Sequence, residues 1–274
     1  MWPDLFRIGP LAFHSYGLML AISFIVGIQL ALVEGRRRGI AEDRVGGLAL
    51  WILVASVVGS RLAYVLTHLD SFSGQRIWGA LRVWEGGLTM YGGVVAALVL
   101  AYVLARRWRL PVGTVFDTFA PSIALGEGLT RIGCFLNGCC FGKPCALPWA
   151  VTFPEQSHAG SVFPGAALHP TQLYLSLAGL ATFAVLWWWA RHRFETPGRV
   201  FFLFLLLASL ARFSIDFLRY YDPHGEAVVI TGVTLSLTQC LCLLLIAVAV
   251  IGLLRRGPKA VAVNAPAPAE DAHG

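Results

Sequence analysis

A chain of 274 residues that is 57% hydrophobic and only 13% charged, with a mean hydropathy of +0.69, lies outside the range of soluble domains. That composition excludes a water-soluble enzyme and points to an all-α, polytopic membrane protein. The net charge of +6 sits mostly in connections between apolar runs, so it reads as membrane topology and attraction to anionic lipid, with no nucleic-acid partner expected.

The first ten residues, MWPDLFRIGP, lack a basic n-region, and no small-residue cleavage site follows, so no cleavable signal peptide is expected. Seven segments are long enough, or nearly so, to cross ~30 Å of hydrocarbon as helices. They span about 16–34, 46–67, 88–105, 113–133, 171–190, 200–221 and 230–254, the fourth being the least apolar. The connections after the first, third and fifth, and the tail, hold Arg36, Arg37, Arg38 and Arg44, then Arg106, Arg107 and Arg109, then Arg191, Arg193 and Arg199, then Arg255, Arg256 and Lys259. The opposite side holds only Arg7, Arg76, Arg82, Lys143 and Arg219. Cations accumulate on the cytoplasmic side, so the amino terminus is expected outside and the carboxyl terminus inside. One membrane domain over 1–257 is followed by an Ala/Pro-rich tail, 258–274, whose composition cannot build a core and is expected to be disordered.

The longest connections, about 68–87 and 134–170, both fall outside. The second, rich in Gly, Pro and aromatics such as Phe141, Trp149, Phe153 and Phe163, suits an arm or lid over the membrane surface. No convincing internal repeat is present, and an odd helix count argues against the inverted-repeat plan that a lipid or small-molecule transporter would need.

A charge at membrane depth costs roughly 2.5–3.5 kcal/mol, so each needs a partner, water or a function. Arg212 and Asp216 are four apart and share a helix face, where they can pair. Arg131 ends the fourth helix, where it can snorkel toward headgroups or join a converging set of guanidinium forks suited to phosphate. Asp117 and Glu127 are expected to pair with arginine or with helix ends, Arg61 being an unassigned partner. Glycines recur at Gly17, Gly86, Gly87, Gly92, Gly93, Gly138 and Gly142. They serve either close helix packing or the approach of backbone amides to an anion. His14, His169, Tyr16, Tyr91 and Tyr174 are the candidate proton-transfer groups, although the run from His169 to Tyr174 can equally cap the fifth helix with Pro170 in its first turn. Cys240 and Cys242 read as small buried thiols. Cys134, Cys139, Cys140 and Cys145 lie near the outer face, where a disulfide is expected among them, avoiding the adjacent pair. Their spacing is not a C-x-x-C pattern, and neither a metal nor a soluble cofactor is expected.

Taken together these residues resemble the bacterial prolipoprotein diacylglyceryl transferase family. The likeness runs through His14-Ser-Tyr16-Gly17, Gly59-Ser-Arg61-Leu-Ala-Tyr64 and Gly86-Gly87-Leu-Thr-Met-Tyr91-Gly92-Gly93. It continues through Arg131-Ile-Gly-Cys134-Phe-Leu-Asn137-Gly-Cys139-Cys140-Phe-Gly142, His169-Pro-Thr-Gln172-Leu-Tyr174 and Arg212-Phe-Ser-Ile-Asp216-Phe-Leu-Arg219. The resemblance implies an inner-membrane transferase that moves diacylglyceryl from phosphatidylglycerol to the lipobox cysteine thiol of a preprolipoprotein, releasing glycerol 1-phosphate. It further implies that Arg131 and Arg212 contact the headgroup phosphate and that Asp216 orients Arg212. Tyr16, Asn137 and Gly142 would line the lipid site, with His14, Arg61 and His169 further candidates for it. The chain departs from the family pattern at Tyr91, where a His is usual, at Cys134 and Cys139, where Asn and Glu are usual, and at Asp216, where Glu is usual. Either the arginines promote thiolate formation with Tyr91 as a catalytic hydrogen-bond donor, or His14 substitutes as base, or the chain serves a different acceptor.

Overall fold

The computed structural model describes residues 4–8, 11–69, 79, 82, 86–221, 227–230 and 233–255, with side chains over 15–69, 79, 82, 86–221 and 235–255. The tail 258–274 and the side chain of His14 lie outside these described residues. Long helices dominate: α1 (Ser15–Arg37), α2 (Glu42–Thr67), α3 (Met90–Arg107), α4 (Val112–Asn137), α6 (Thr171–Arg193), α7 (Arg199–Asp216) and α8 (Leu237–Leu254). A single short helix, α5 (His158–Val162), lies between α4 and α6. Among the described residues α1, α2, α3, α6 and α8 are long and apolar enough to cross a membrane. The other two long helices carry more charge, Asp117, Glu127 and Arg131 on α4 and Arg199, Arg212 and Asp216 on α7.

Two hairpins precede α1 and α8 in the chain, β1 (Asp4–Ile8) with β2 (Leu11–His14), and β5 (Ala227–Ile230) with β6 (Val233–Ser236). The last helix therefore starts at Leu237 and not at 230. A capping box explains the boundary, since Ser236 accepts from the Gln239 amide at 3.0 Å while the Gln239 side chain accepts from the Ser236 amide at 2.9 Å. The second helix begins at Glu42, earlier than expected, with Glu42 and Asp43 placed where acidic groups suit the amino-terminal dipole.

The described residues divide into two compact units, one made of those up to Ala31 with those from Phe116 to the end of α8, the other of Leu32–Val115. In the second unit α2 packs on α3. A Cβ on Gly59 would meet Ala96 and the Gly92 carbonyl, and one on Gly92 would meet Ala63 and the Gly59 carbonyl. Close packing is thus the role of this glycine pair, the reading that membrane helices favour. Glu34, fully buried, pairs with Arg37 at 2.6 Å and with Arg38 at 2.8 Å. Arg61 donates to the carbonyls of Gly79, Gly86 and Gly87 and so fastens the chain entering α3. Gly86 and Gly87 are left-handed, at φ 86° and 68°, a conformation that glycine adopts at no steric cost.

In the first unit α4, α6 and α7 share a core of Ala120, Ala124, Leu186, Ala190, Val200 and Phe204. Asp117 accepts from the amides of Gly198 and Phe201, both at 2.8 Å, which satisfies two of the orphan donors at the start of α7. Its expected pairing with a helix end is therefore seen. Gly128 and Gly179 bring α4 and α6 together, and Ser176 donates to the Gly128 carbonyl at 2.8 Å. The α6 ladder widens into a π-wound stretch at Val185–Ala190. The connection between α4 and α6 builds its own aromatic core from Phe141, Phe153, Ala159 and Leu168, with β3 (Val151–Thr152) paired to β4 (Ala167–Leu168).

Candidate functional site

The end of α4, the start of α6, the end of α7 and the start of α8 are tied together by short polar contacts. Asp216, buried on the last turn of α7, is the centre of one group. It receives a hydrogen bond from the Tyr221 hydroxyl and another from Ser236 Oγ at 2.6 Å, and Arg212 Nη2 lies 3.6 Å away as an ion pair. Arg212 also donates to the Tyr221 hydroxyl at 3.3 Å. Burial, and then the bond to Asp216, hold the Tyr221 phenol above its usual range, so it stays a neutral donor. Ser236 serves twice, since the oxygen that caps α8 also donates to the acid of α7.

Three guanidinium groups gather here. Arg131 and Arg219 both lie within electrostatic reach of Arg212. Arg212 Nη1 and Arg219 Nε are buried and, among the described residues, meet no hydrogen-bond acceptor. A buried donor left unmade costs roughly 1–3 kcal/mol, more when charged, so the arrangement calls for an anion. Glu127, one turn before Arg131 on α4, has no hydrogen bond or ion pair among the described residues, contrary to the expected pairing. It lines a narrow cleft with Ala124, Gly179, Thr182, Phe204 and Ala211.

The thiols form the second group. All six cysteines are free, which corrects the expected disulfide. The sulfurs of Cys134, Cys139 and Cys140 nevertheless lie within 4.8 Å of one another. Hydrogen bonds from Cys134 and Cys139, opposed by burial and aided by Arg219 and Arg131, hold the Cys140 thiol below its usual range. Asn137, at the end of α4, lies close to the Cys139 sulfur, which donates to the Cys134 carbonyl at 3.7 Å.

Gly142 sits where a Cβ would strike His169 and the Leu218 carbonyl, and its amide donates to the His169 carbonyl at 3.0 Å. Both residues therefore have a packing role, and the His169 ring lies 3.4 Å from the Tyr174 hydroxyl. Pro170 is the residue before the first turn of α6, one place earlier than expected. Tyr16 lies beside Gly133 on α4 and is partly exposed. Arg61 and Tyr91 belong to the other compact unit, where Tyr91 is exposed on the first turn of α3.

The structure adds Arg219, Tyr221 and Ser236, which the sequence reading did not single out. Arg219 stood only as an outer-side cation and as the last residue of the motif from Arg212, with no role of its own, and no periodicity marks Tyr221 or Ser236, whose roles depend on how α7 meets α8.

The profile of the family described as prolipoprotein diacylglyceryl transferase matches residues 3–255. The chain belongs to that family. A phosphatidylglycerol–prolipoprotein diacylglyceryl transferase of Nitratidesulfovibrio vulgaris is 35% identical over 260 residues, covering 92% of this chain and 93% of the relative. Proteins of the same name from Prochlorococcus marinus and Clostridium tetani are each 31% identical, over 274 and 226 residues. They cover 92% and 82% of this chain, and 90% and 88% of their own lengths. Family membership makes the chain a transferase, and its long apolar helices make it a membrane-embedded one.

Proposed function

We propose that this transferase moves the diacylglyceryl group of phosphatidylglycerol onto the lipobox cysteine thiol of a preprolipoprotein, in the inner membrane, with its amino terminus outside. The observation that carries the reading is the pair of buried donors that meet no acceptor among the described residues, Arg212 Nη1 and Arg219 Nε, beside Arg131 and the Arg212–Asp216 ion pair. A phosphodiester supplies the anionic oxygens such forks bind.

The acceptor sulfur attacks the glycerol carbon that bears the phosphate, the carbon–oxygen bond breaks, and glycerol 1-phosphate leaves. Negative charge grows on the departing oxygen, where positioned guanidinium groups lower the barrier. Asp216 holds Arg212 in place, and Tyr221 and Ser236 hold Asp216. Arg131 contributes charge from α4, and Tyr16 and Asn137 are proposed to line the lipid path. Tyr91 is proposed as a hydroxyl donor at the motif position where the family usually has His, and Arg61, His14, Gly142 and His169 as further candidate groups.

Incubating the purified chain with phosphatidylglycerol and a lipobox peptide tests the reading by mass spectrometry. The peptide gains a diacylglyceryl thioether and glycerol phosphate appears in equal amount. A peptide left unmodified, in the presence of protein that binds the lipid, overturns it.

A further inference from the structure

Cys134, Cys139 and Cys140 are held in place by more than proximity. Gly138, at φ 68°, and Cys140, at φ 62°, are both left-handed, and together they turn the chain back on the end of α4. The Cys139 amide then donates to the Cys134 carbonyl at 3.1 Å. From α6, Thr171 Oγ1 donates to the Cys140 carbonyl at 2.9 Å and Gln172 Nε2 donates to the Cys139 carbonyl at 2.8 Å. Gln172 is fully buried, so this clamp is rigid. A cysteine in the left-handed region is strained, and such strain persists only where the surroundings fix it.

A zinc ion bonds thiolate sulfur at about 2.3 Å, which sets sulfurs of a tetrahedral site about 3.8 Å apart. Three sulfurs all within 4.8 Å of one another reach that spacing by small side-chain rotations. Among the described residues no fourth His, Cys, Asp or Glu joins the group, and a catalytic zinc site has this form, three protein ligands and one open position. Three thiolates and Zn²⁺ carry a net single negative charge, and Arg131 and Arg219 lie within electrostatic reach of Cys140 to offset it.

We propose that Cys134, Cys139 and Cys140 bind one zinc ion whose open position takes the sulfur of the acceptor cysteine. The proposal rests on the transferase reading above and supplies what the arginines lack, because guanidinium cannot accept a proton. A thiol that coordinates zinc is deprotonated outright, its proton passing to solvent. The bound thiolate then uses its electron pair to form the sulfur–carbon bond. The electrons of the broken carbon–oxygen bond stay on the phosphate, and the neutral thioether, a poorer ligand, leaves the metal.

The full chain in detergent, reduced and stripped with chelator, is titrated with Co²⁺ as a spectroscopic stand-in for zinc. One ion per chain with a sulfur-to-metal charge-transfer band is expected. Cys134→Ser, Cys139→Ser and Cys140→Ser each weaken binding at least about tenfold, as lost ligands do, while Cys145→Ser does not. Adding a lipobox peptide raises the band by about a third as a fourth thiolate enters, and a peptide with serine in place of its cysteine leaves it unchanged. In the stripped wild-type chain, which needs no variant to fold, transfer rises with pH through the ordinary thiol range near 8.5, whereas the zinc-loaded chain is flat there. Absence of stoichiometric binding, a disulfide within the trio, or a band indifferent to the peptide overturns the proposal. Full-rate transfer by the stripped chain overturns the zinc role and leaves the transferase reading standing. A peptide-responsive metal site that forms no thioether leaves the site standing and overturns the transferase reading.

Discussion

Arg212 is the residue whose charge the site can least replace. Its partners are one acid and one phenol, and its Nη1 is unpaired among the described residues, so a bound phosphate gains both charge and geometry from it. Arg212→Gln is expected to slow transfer by roughly 10²–10³-fold, the usual loss for one positioned donor, with Arg212→Lys recovering little because the fork is gone. Asp216→Asn is expected to be milder, since Tyr221 and Ser236 can still meet the amide. Initial rates of thioether formation check both, and an unimpaired Arg212→Gln enzyme would exclude the phosphate role. Cys140 makes a second case. With its pKa lowered by hydrogen bonds and arginines, its thiolate persists as pH falls, whereas an ordinary thiol protonates. In metal-stripped protein, iodoacetamide should therefore lose less of its rate at Cys140 between pH 8 and pH 6 than it loses with free cysteine in solution. A loss as large as that of free cysteine would contradict it. The Arg212–Asp216 pair was legible from spacing alone, because i, i+4 on a helix fixes one face. The thiol trio was not, because it depends on two left-handed residues that no helical or strand period announces.

Two helices can approach closely only where side chains are absent, and α2 and α3 meet that condition at Gly59 and Gly92. A Cβ at Gly92 would meet the Gly59 carbonyl, which is backbone and cannot rotate away. Gly92→Leu is expected to destabilise the chain by about 1–3 kcal/mol or more, as overpacking does, seen as a lowered unfolding temperature in detergent. Gly46→Ala on the partner helix α2 is the comparison, because nothing lies within 4 Å of its Cβ position and alanine favours helix. Loss of stability in Gly46→Ala with none in Gly92→Leu would invert the assignment. At this scale the apolar runs located the helices well, since length and hydropathy report burial in lipid. They misplaced several ends by a few residues, because Glu42, Gly87 and the Ser236–Gln239 box act through capping and backbone conformation. The aromatics of the connection after α4 marked it in the sequence, but its core of Phe141, Phe153 and Leu168 requires a strand pairing too short to show a period.

For the whole molecule, the open count is how many helices cross. Among the described residues five pass on length and hydropathy, and α4 and α7 carry charges at Asp117, Glu127, Arg131, Arg199, Arg212 and Asp216. Half of those charges have work inside the protein: Asp117 caps α7, and Arg212 with Asp216 forms the buried ion pair. A span whose charges face protein partners tolerates a lower hydropathy than one facing lipid on all sides. Loop charge points the same way. If α4 and α7 stayed on one side, the connection with Arg191, Arg193 and Arg199 would lie opposite the one with Arg106, Arg107 and Arg109, against the rule that cations collect in the cytoplasm. With all seven crossing, every strongly basic connection faces inward and the amino terminus faces outward. Gln156 and Arg193 are both exposed and fall on opposite sides in that arrangement. In intact spheroplasts an impermeant maleimide should label Gln156→Cys above the parent chain, while Arg193→Cys should gain label only after the membrane is opened. Gain of label at Arg193→Cys in sealed spheroplasts would mean that α4 does not cross, and would put the thiol trio at the end of α4 on the cytoplasmic face.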